Sequence, residues 1–387
     1  MTTHVGIMGG GQLGMLLCQA ARRLELETTV LTPLPTDPAA ACCDHLLPGR
    51  LDDVEAAAKL VQATDVITFE IESVAPQVLR YLDSAEHLGH ARVAPSPAIL
   101  LLLQNKALQK DWLERNGFPT APHLSLTTEE IDAEGLVARF GLPFVQKAQR
   151  GGYDGRGVQI IRGRDDLPGL WPTPSMFEPF LPEVRELAVL VARGASGATA
   201  TYDPVSLTFN AEHNILETVT APAQVPEGIA EAAARLAEAV ITKLDGVGLF
   251  AVELFLTEQN ELLINEISPR VHNAGHHTLE ACETSQFEQH LRAITGLPLG
   301  SVSLRRPAVM RNLLYTDDLE PLCGWGPRTL AGDREGTYVH WYGKRDPRPY
   351  RKMGHITCLG DTADDALRLA DALRARLPAL AACGAPA

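Results

Sequence analysis

The chain has 387 residues, which is enough for two or three domains. Hydrophobic residues make up 45% and charged residues 21% of the chain, the composition of a globular protein with a sizeable core. The formal net charge of −14 argues against a nucleic-acid partner, because neutralising duplex phosphates requires clustered lysine and arginine side chains.

The cysteines and the N-terminus indicate a cellular compartment. The seven cysteines are odd in number and never occur as Cys-x-x-Cys, so we expect neither a disulfide framework nor a zinc site. The first residues lack the basic start and long apolar stretch of a signal peptide. The longest apolar run, Ala98–Leu103, is too short to span a bilayer. We therefore expect a cytoplasmic protein without a membrane partner.

Strand and helix signals alternate over the first hundred residues, which predicts a parallel sheet covered by helices. The predicted elements are a strand at Val5–Met8, a helix at Met15–Leu24, a strand at Thr28–Leu31, a strand at Val66–Phe69 and a helix after Pro76.

A glycine fingerprint, Gly9-x-Gly11-x-x-Gly14, joins the first strand to the first helix. Bare amides at a helix N-terminus attract anions, so a nicotinamide-dependent oxidoreductase is one interpretation. The second strand weakens it, because Val30–Pro33 lacks the acidic residue that would hold a ribose. A turn that only packs the helix on the sheet and a turn that contacts a phosphate or substrate are the alternatives.

The pattern becomes mixed after Ser96, which indicates an α+β region. The predicted elements are a helix from Ser96 that continues as a polar helix from Asn105 to Trp112, strands Phe144–Lys147 and Val158–Ile161, helix Ile229–Leu244, a hairpin of Phe250–Leu256 with Glu261–Ile267, strands Ala308–Leu314 and Tyr338–Trp341, and helix Ala363–Leu377.

A glycine-rich loop connects the strands Phe144–Lys147 and Val158–Ile161. Four glycines fall within residues 151–157, and Lys147 and Arg150 stand just before them. Such a loop can fold its amides over phosphates, and a lysine on the preceding strand can pair with phosphate oxygens. The alternative is a β-hairpin with a loose tip, which leaves the flanking basic residues without a role.

Two carboxylates, Glu253 and Glu266, interrupt the apolar strands of the predicted hairpin. A buried carboxylate is costly unless it is paired or ligated, and Mg²⁺ prefers carboxylate and phosphate oxygens. Together with Asn265, the two glutamates would suit such a site. The alternative is a strand whose glutamates face solvent, and the spacing alone does not decide between them.

Two further segments carry polar groups in a suggestive order. Ser268–His277 contains arginine, histidine and asparagine but no His-Glu-x-x-His pattern, so it favours an anionic substrate over zinc. Glu178–Leu181 follows an apolar run and predicts a hinge whose backbone meets an adenine edge. Taken alone, Glu178 and Glu186 are ordinary surface carboxylates.

These motifs together resemble the 5-(carboxyamino)imidazole ribonucleotide synthases of the ATP-grasp superfamily. The resemblance extends over nearly the whole chain in the same order, and its blocks are residues 151–157, 251–256, 265–276, 284–294, 340–344 and 351–355. It implies an α/β and α+β fold with a Rossmann-like N-terminal domain at 1–103, a central ATP-grasp domain at 104–298 and a small mixed C-terminal domain at 299–387.

The resemblance also implies a reaction. ATP, bicarbonate and 5-aminoimidazole ribonucleotide are the expected reactants, with Mg²⁺ as the metal and a homodimer as the assembly. Bicarbonate attacks the γ-phosphoryl group to give carboxyphosphate, and this compound, or CO₂ released from it, carboxylates the ribonucleotide amine.

The expected site residues follow from the same resemblance. Contacts to ATP are expected from Lys106, Lys147, Gly152, Tyr153, Asp154, Gly155, Arg156, Gly157, Glu178, Pro179, Phe180, Leu181, Glu186, His213, Asn265 and Glu266. The metal ligands would be Glu253 and Glu266. The expected catalytic residues line the part of the site that binds bicarbonate and the aminoimidazole; they are Tyr153, Asp154, Arg156, Arg270, His272 and Asn273. Substrate contacts are expected from Glu70, Glu72, Lys344, Arg351 and Lys352.

Two departures from the family pattern and two alternatives stand beside these expectations. The Thr32–Pro35 turn differs from the more acidic family turn, and the spacing around His213 is unusual. The first alternative is another ATP-grasp ribonucleotide ligase, such as a formate-dependent transformylase. The second is a non-catalytic remnant that only binds nucleotide, against which the intact Lys147, Glu253 and Glu266 argue.

Overall fold

The computed structural model describes residues 2–152, 157–210, 214–332 and 334–382. The N-terminal part is a parallel sheet with strand order β3–β2–β1–β4–β5, flanked by helices as predicted. Its elements are β1 His4–Met8, α1 Gln12–Arg23, β2 Glu27–Thr32, β3 His45–Pro48, α2 Val54–Ala63, β4 Val66–Phe69, α3 Pro76–His87 and β5 Arg92–Val93.

Side chains of this sheet are buried on both faces, which explains the continuous apolar runs in its strands. Ile7 and Val30 belong to the core beneath α1, whereas Met8, Leu31 and Phe69 pack in a second core with α2 and α3. Because β1 and β4 are parallel neighbours, the loops at their carboxyl ends meet at one edge of the sheet.

Two short helices lead into the central region, α4 Pro97–Leu103 and α5 Lys106–Arg115. The prediction that one helix continues through Asn105 is wrong in this detail. The Asn105 Oδ1 accepts hydrogen bonds from the Ala107 and Leu108 amides at 2.9 and 3.1 Å, so Asn105 begins a new helix. This cap sets the position of Lys106 at the start of α5.

A small antiparallel sheet follows, with strand order β6–β9–β7–β8. Its core is built around Phe144 and Phe177 and is covered by one helix. The elements are β6 Leu124–Leu126, α6 Ala133–Phe140, β7 Phe144–Ala148, β8 Val158–Ile161 and β9 Ser175–Pro179.

A larger antiparallel sheet continues from the central region into the C-terminal region through the β13–β16 pair, in the order β15–β14–β10–β12–β13–β16–β19–β18–β17, with β11 beside β10. Its elements are β10 Arg185–Arg193, β11 Thr199–Thr201, β12 Val205–Phe209, β13 Leu216–Ala221, α7 Ile229–Leu244, β14 Gly248–Leu256, β15 Leu262–Ser268, α8 Thr278–Ala281, α9 Gln286–Thr295, β16 Ala308–Leu314, β17 Arg328–Ala331, β18 Thr337–Trp341, β19 Lys352–Leu359 and α10 Ala363–Ala382.

The predicted hairpin of the central region is the pair β14–β15 at one edge of this sheet. Its inner strand β14 pairs with β10 along nine residues, and α7 packs its apolar face against the same strands. Within the described ranges, none of the helices combines the length and apolarity needed to cross a membrane.

Candidate active site

Glu253 on β14 and Glu266 on β15 are directly opposite partners in the hairpin. The register shifts immediately beyond them, because Leu254 pairs with Ile264 and leaves Asn265 as an extra residue. A bulge of this kind redirects side chains. The bulge lets two consecutive residues each accept a hydrogen bond from a different lysine. Asn265 Oδ1 accepts from Lys147 at 3.0 Å, and Glu266 Oε2 accepts from Lys106 at 2.5 Å.

The charges around this pair favour a bound cation. Burial raises the pKa of Glu253, and the neighbouring carboxylates Glu266 and Glu186 raise it further. Burial opposes ionisation of Glu266 as well, but the Lys106 ammonium brings its pKa below the usual value. His272 Nε2 lies 3.5 Å from Glu253 Oε1. Carboxylate oxygens crowded in this way fit Mg²⁺, which would lower their mutual repulsion.

A buried ion triad lies beside the carboxylates. Glu178 on β9 contacts Lys147 on β7 at 2.6 Å and Lys110 on α5 at 2.8 Å. Although burial opposes ionisation, the two ammonium groups lower the pKa of Glu178 to about 2. Lys110 also donates to Thr120 Oγ1 at 2.6 Å and to the Ile264 carbonyl oxygen at 3.2 Å.

The sequence analysis did not identify Lys110 as part of the site. Its signal is the spacing from Lys106, since residues four apart on a helix share one face. Both lysines of α5 consequently approach the hairpin, Lys106 at Glu266 and Lys110 at Ile264. Lys110 is 2% exposed, so its ammonium is held inside the protein.

The predicted hinge begins at the end of β9 and leads toward β10. Glu178 and Pro179 are the last strand residues, and the Phe180 amide donates to the Pro143 carbonyl oxygen at 3.3 Å. Leu181 follows, partly buried. Across the hinge, burial raises the pKa of Glu186 to about 7.

The ends of the glycine-rich loop approach each other. Gly152 and Gly157 both have positive φ, and a Cβ on Gly157 would lie 3.2 Å from Gly152 Cα. At the loop base, the Ala148 amide donates to the Gly157 carbonyl oxygen at 2.9 Å. The predicted contacts Tyr153, Asp154, Gly155 and Arg156 lie outside the described residues, and so does His213.

Glu70 occupies the glycine turn of the N-terminal sheet. Its carboxylate accepts hydrogen bonds from the Gly11 amide at 2.7 Å and the Gly14 amide at 2.9 Å. A Cβ on Gly9 would lie 2.4 Å from the Glu70 side chain, so this turn requires glycine. The amides that a dinucleotide phosphate would use are therefore bonded to an internal carboxylate, which argues against nicotinamide binding.

Glu70 and Glu72 face groups from the other two domains. Burial raises the pKa of Glu70, while Arg270 and Lys344 lie near enough to oppose that shift. Arg270 forms a 2.8 Å ion pair with Glu72. Glu70, Glu72 and Arg270 thus lie together where the three parts of the chain meet.

The remaining predicted residues lie on the C-terminal side of this junction. Asn273 and Asn312 exchange amide hydrogen bonds at 3.0 and 2.7 Å, which connects the central loop to β16. Lys344 donates to the Lys352 carbonyl oxygen at 2.7 Å, and Lys352 is buried. Arg351 forms an ion pair with Asp346 at 3.2 Å. Their substrate roles stay predictions.

The fold and the lysine–carboxylate site define an ATP-grasp enzyme. The ATP-grasp domain model matches residues 111–287, and the ribonucleotide synthetase preATP-grasp domain model matches residues 1–104. The model of the phosphoribosylaminoimidazole carboxylase C-terminal domain matches residues 308–369. The three-part architecture expected from the resemblance is confirmed.

The relatives narrow this class to one family. N5-carboxyaminoimidazole ribonucleotide synthase of Synechococcus elongatus is 42% identical over 92% of this chain and 89% of its own length. The protein of the same name from Bacillus subtilis is 36% identical over 93% and 92%, respectively. The chain belongs to the N5-carboxyaminoimidazole ribonucleotide synthase family of ATP-grasp ligases, which confirms the resemblance.

Solved structures agree with this assignment. The Thermotoga maritima N5-carboxyaminoimidazole ribonucleotide synthetase has 39% identity and a TM-score of 0.83, covering 97% of this chain and 98% of its own. The Aspergillus clavatus N5-carboxyaminoimidazole synthase was solved with ADP and 5-aminoimidazole ribonucleotide. It has 31% identity and a TM-score of 0.84, with 97% and 98% coverage.

Proposed function

We propose that this enzyme uses ATP and bicarbonate to carboxylate 5-aminoimidazole ribonucleotide in purine biosynthesis, releasing ADP and phosphate. The observation that carries the proposal is the cross-strand pair Glu253–Glu266, with Lys106 and Lys147 bonded to its bulged strand. Two carboxylates and two ammonium groups gathered at one hairpin suit a metal–triphosphate complex.

We assign the nucleotide half of the site first. Lys106 and Lys147 would neutralise phosphate charge, and the hinge 178–181 with Glu186 would contact adenine and ribose. Glu253 and Glu266 would hold Mg²⁺, which supplies charge neutralisation on the phosphate oxygens. The glycine loop, including Tyr153, Asp154, Gly155 and Arg156, would cover the transferring group and exclude water. His213 would contact the nucleotide.

The chemistry then proceeds in two steps. A bicarbonate oxygen attacks the γ-phosphorus, ADP leaves, and carboxyphosphate forms. The amine nitrogen of the ribonucleotide attacks the carboxyl carbon, or CO₂ released from it, and loses a proton while phosphate departs. Excluding water protects carboxyphosphate, because an acyl phosphate hydrolyses readily.

We assign the ribonucleotide to the junction of the three domains. Arg270, His272 and Asn273 would line the side where bicarbonate and the aminoimidazole meet, and Glu70 with Glu72 would contact the substrate from the N-terminal domain. Lys344, Arg351 and Lys352 would hold its phosphate. Support comes from the 2.8 Å Arg270–Glu72 ion pair and from the closeness of Lys344 to Glu70.

The remaining assignments rest on the family resemblance. We propose domain boundaries of 1–103, 104–298 and 299–387, a cytoplasmic location and a homodimer. Light scattering coupled to size-exclusion chromatography measures the mass in solution directly, and a monomer at working concentration would reject the dimer.

The decisive experiment measures ADP release while each co-substrate is omitted in turn. We expect release to require both bicarbonate and 5-aminoimidazole ribonucleotide. A requirement for formate instead would identify a transformylase and reject the proposal. Tight binding of NADH without binding of ATP would instead support the oxidoreductase interpretation.

A further inference from the structure

Three potential metal ligands lie at the amino ends of neighbouring strands in the N-terminal sheet. His4 begins β1, Glu27 begins β2 and His45 begins β3. In the register, His4 pairs with Glu27 and His45 pairs with Thr29, two residues further along β2. Residues two apart on a strand share a face, so the three side chains gather on one side of the sheet.

This cluster is separate from the active site. Gly9–Gly14 and Glu70 lie at the carboxyl ends of β1 and β4. The cluster lies at the opposite, amino-terminal edge of the same strands, where the mechanism places none of its groups. The proposed function therefore gives no reason for two imidazoles and a carboxylate here.

The distances suit a shared ion. His45 Nε2 lies 2.7 Å from Glu27 Oε1, and His4 Nδ1 lies 4.0 Å from Glu27 Oε2. One ligand atom from each residue can be chosen so that all lie within 4.8 Å of one another. Tetrahedral ligands at about 2.0–2.1 Å from zinc are roughly 3.3 Å apart, so small side-chain rotations would bring these atoms to that spacing.

A further hydrogen bond orients the first imidazole. His4 Nε2 lies 2.8 Å from the Thr29 hydroxyl oxygen. If Nε2 carries the proton and donates it to Thr29, the Nδ1 lone pair faces Glu27. A ligating histidine usually donates its second ring N–H in this way, which fixes the tautomer and the ring orientation.

We propose that His4, Glu27 and His45 bind a divalent transition-metal ion of the zinc class. Two imidazoles with one carboxylate are borderline-soft donors that favour zinc, cobalt or nickel over magnesium and calcium. The side chains of His4, Glu27 and His45 are 18%, 43% and 56% exposed, so solvent can supply a fourth ligand. The ion would cross-link β1, β2 and β3.

The bound ion stabilises the N-terminal domain rather than taking part in catalysis. An ion that binds only the folded chain raises the midpoint of thermal unfolding, and the increase grows with ion concentration. Because the cluster is at the far edge of the sheet, removing a ligand leaves ADP formation with magnesium unchanged.

The test uses full-length protein stripped with a chelator and titrated with Zn²⁺ against a chromophoric competitor, with Co²⁺ absorption as a second readout. Glu253, Glu266 and His272 can themselves attract zinc, so the titration is made in a Glu266→Gln background as well. We expect one zinc site that persists in that background. In His45→Ala and Glu27→Gln, its affinity falls at least about tenfold.

His87→Ala is the matched control, because His87 is an exposed histidine paired with Asp83 elsewhere on the same domain. It should leave zinc affinity and the zinc-dependent thermal shift unchanged. Circular dichroism confirms that each variant folds. Equal zinc affinity in wild type and His45→Ala, or loss of the site in Glu266→Gln alone, would overturn the proposal.

Discussion

Replacing Lys110 with Met tests the buried triad most directly. Lys110 bonds to Glu178, Thr120 and the Ile264 carbonyl oxygen, and methionine fills a similar volume without a charge. In the variant, Glu178 keeps Lys147 as its partner at 2.6 Å. Because Lys147 must then balance the carboxylate alone, it is less available to a triphosphate.

The magnitude follows from the pKa values. Burial lowers the pKa of Lys110 from 10.5 to about 8, and the ammonium groups lower that of Glu178 from 4.5 to about 2. Each pKa shift corresponds to about 3 kcal/mol at pH 7. The lowered pKa of Lys110 destabilises the folded state and the lowered pKa of Glu178 stabilises it, so the intact pair contributes little net stability. Removing Lys110 alone leaves the Glu178 charge only partly compensated, and we expect the free energy of unfolding to fall by about 3 kcal/mol.

Two measurements check this reasoning. Urea unfolding at pH 7 gives the free energy of unfolding, and steady-state kinetics gives the Michaelis constants. We expect Lys110→Met to raise the constant for ATP about tenfold, equivalent to about 1.4 kcal/mol, with little change for the ribonucleotide. The double variant Lys110→Met/Glu178→Gln should recover most of the stability, because no buried carboxylate is left undercompensated. Its ATP affinity should stay low, because Glu178 is itself one of the proposed nucleotide contacts.

Lys59→Met is the control, because Lys59 is an exposed lysine on α2. This variant should change neither the free energy of unfolding nor the Michaelis constant for ATP. The reasoning about the triad fails if Lys110→Met is as stable as the wild type, or if its Michaelis constant for ATP is unaltered.

Three further predictions concern the metal, the substrate and pH. Glu266→Gln should reduce ADP formation at least about 100-fold by weakening Mg²⁺ binding; normal turnover would remove Glu266 from the metal site. Lys344→Ala should raise the Michaelis constant for the ribonucleotide about tenfold and leave the Michaelis constant for ATP unchanged. An unaltered Michaelis constant for the ribonucleotide would reject the phosphate role of Lys344. Burial lowers the pKa of His290 to about 4, so the neutral form stabilises the fold above pH 6.5 and this contribution is lost as pH falls toward 4. In urea unfolding from pH 7.5 to 4.5, His290→Asn should lose less stability than the wild type; parallel curves would contradict this.

The sequence determined the bounds of several elements and predicted the residues of the nucleotide site. Strand Val66–Phe69, strand Val158–Ile161 and helix Ile229–Leu244 occur with the predicted bounds, because local periodicity specifies them. The hairpin carrying Glu253 and Glu266 also follows from local pattern, since two apolar strands joined by a short turn pair with each other. Ordered motifs over the whole chain were enough to indicate the family.

Only the tertiary structure decided which distant residues meet. Lys110 joins Glu178 from a different element, and Glu70 occupies amides 59 and 56 positions away, at Gly11 and Gly14. The bulge at Asn265 depends on the register between two strands, which spacing within one strand does not encode. The cluster of His4, Glu27 and His45 is drawn from separate strands, so cysteine counts and short motifs gave no sign of it. Such contacts arise from the order of strands in a sheet, a property of the folded chain rather than of any local segment.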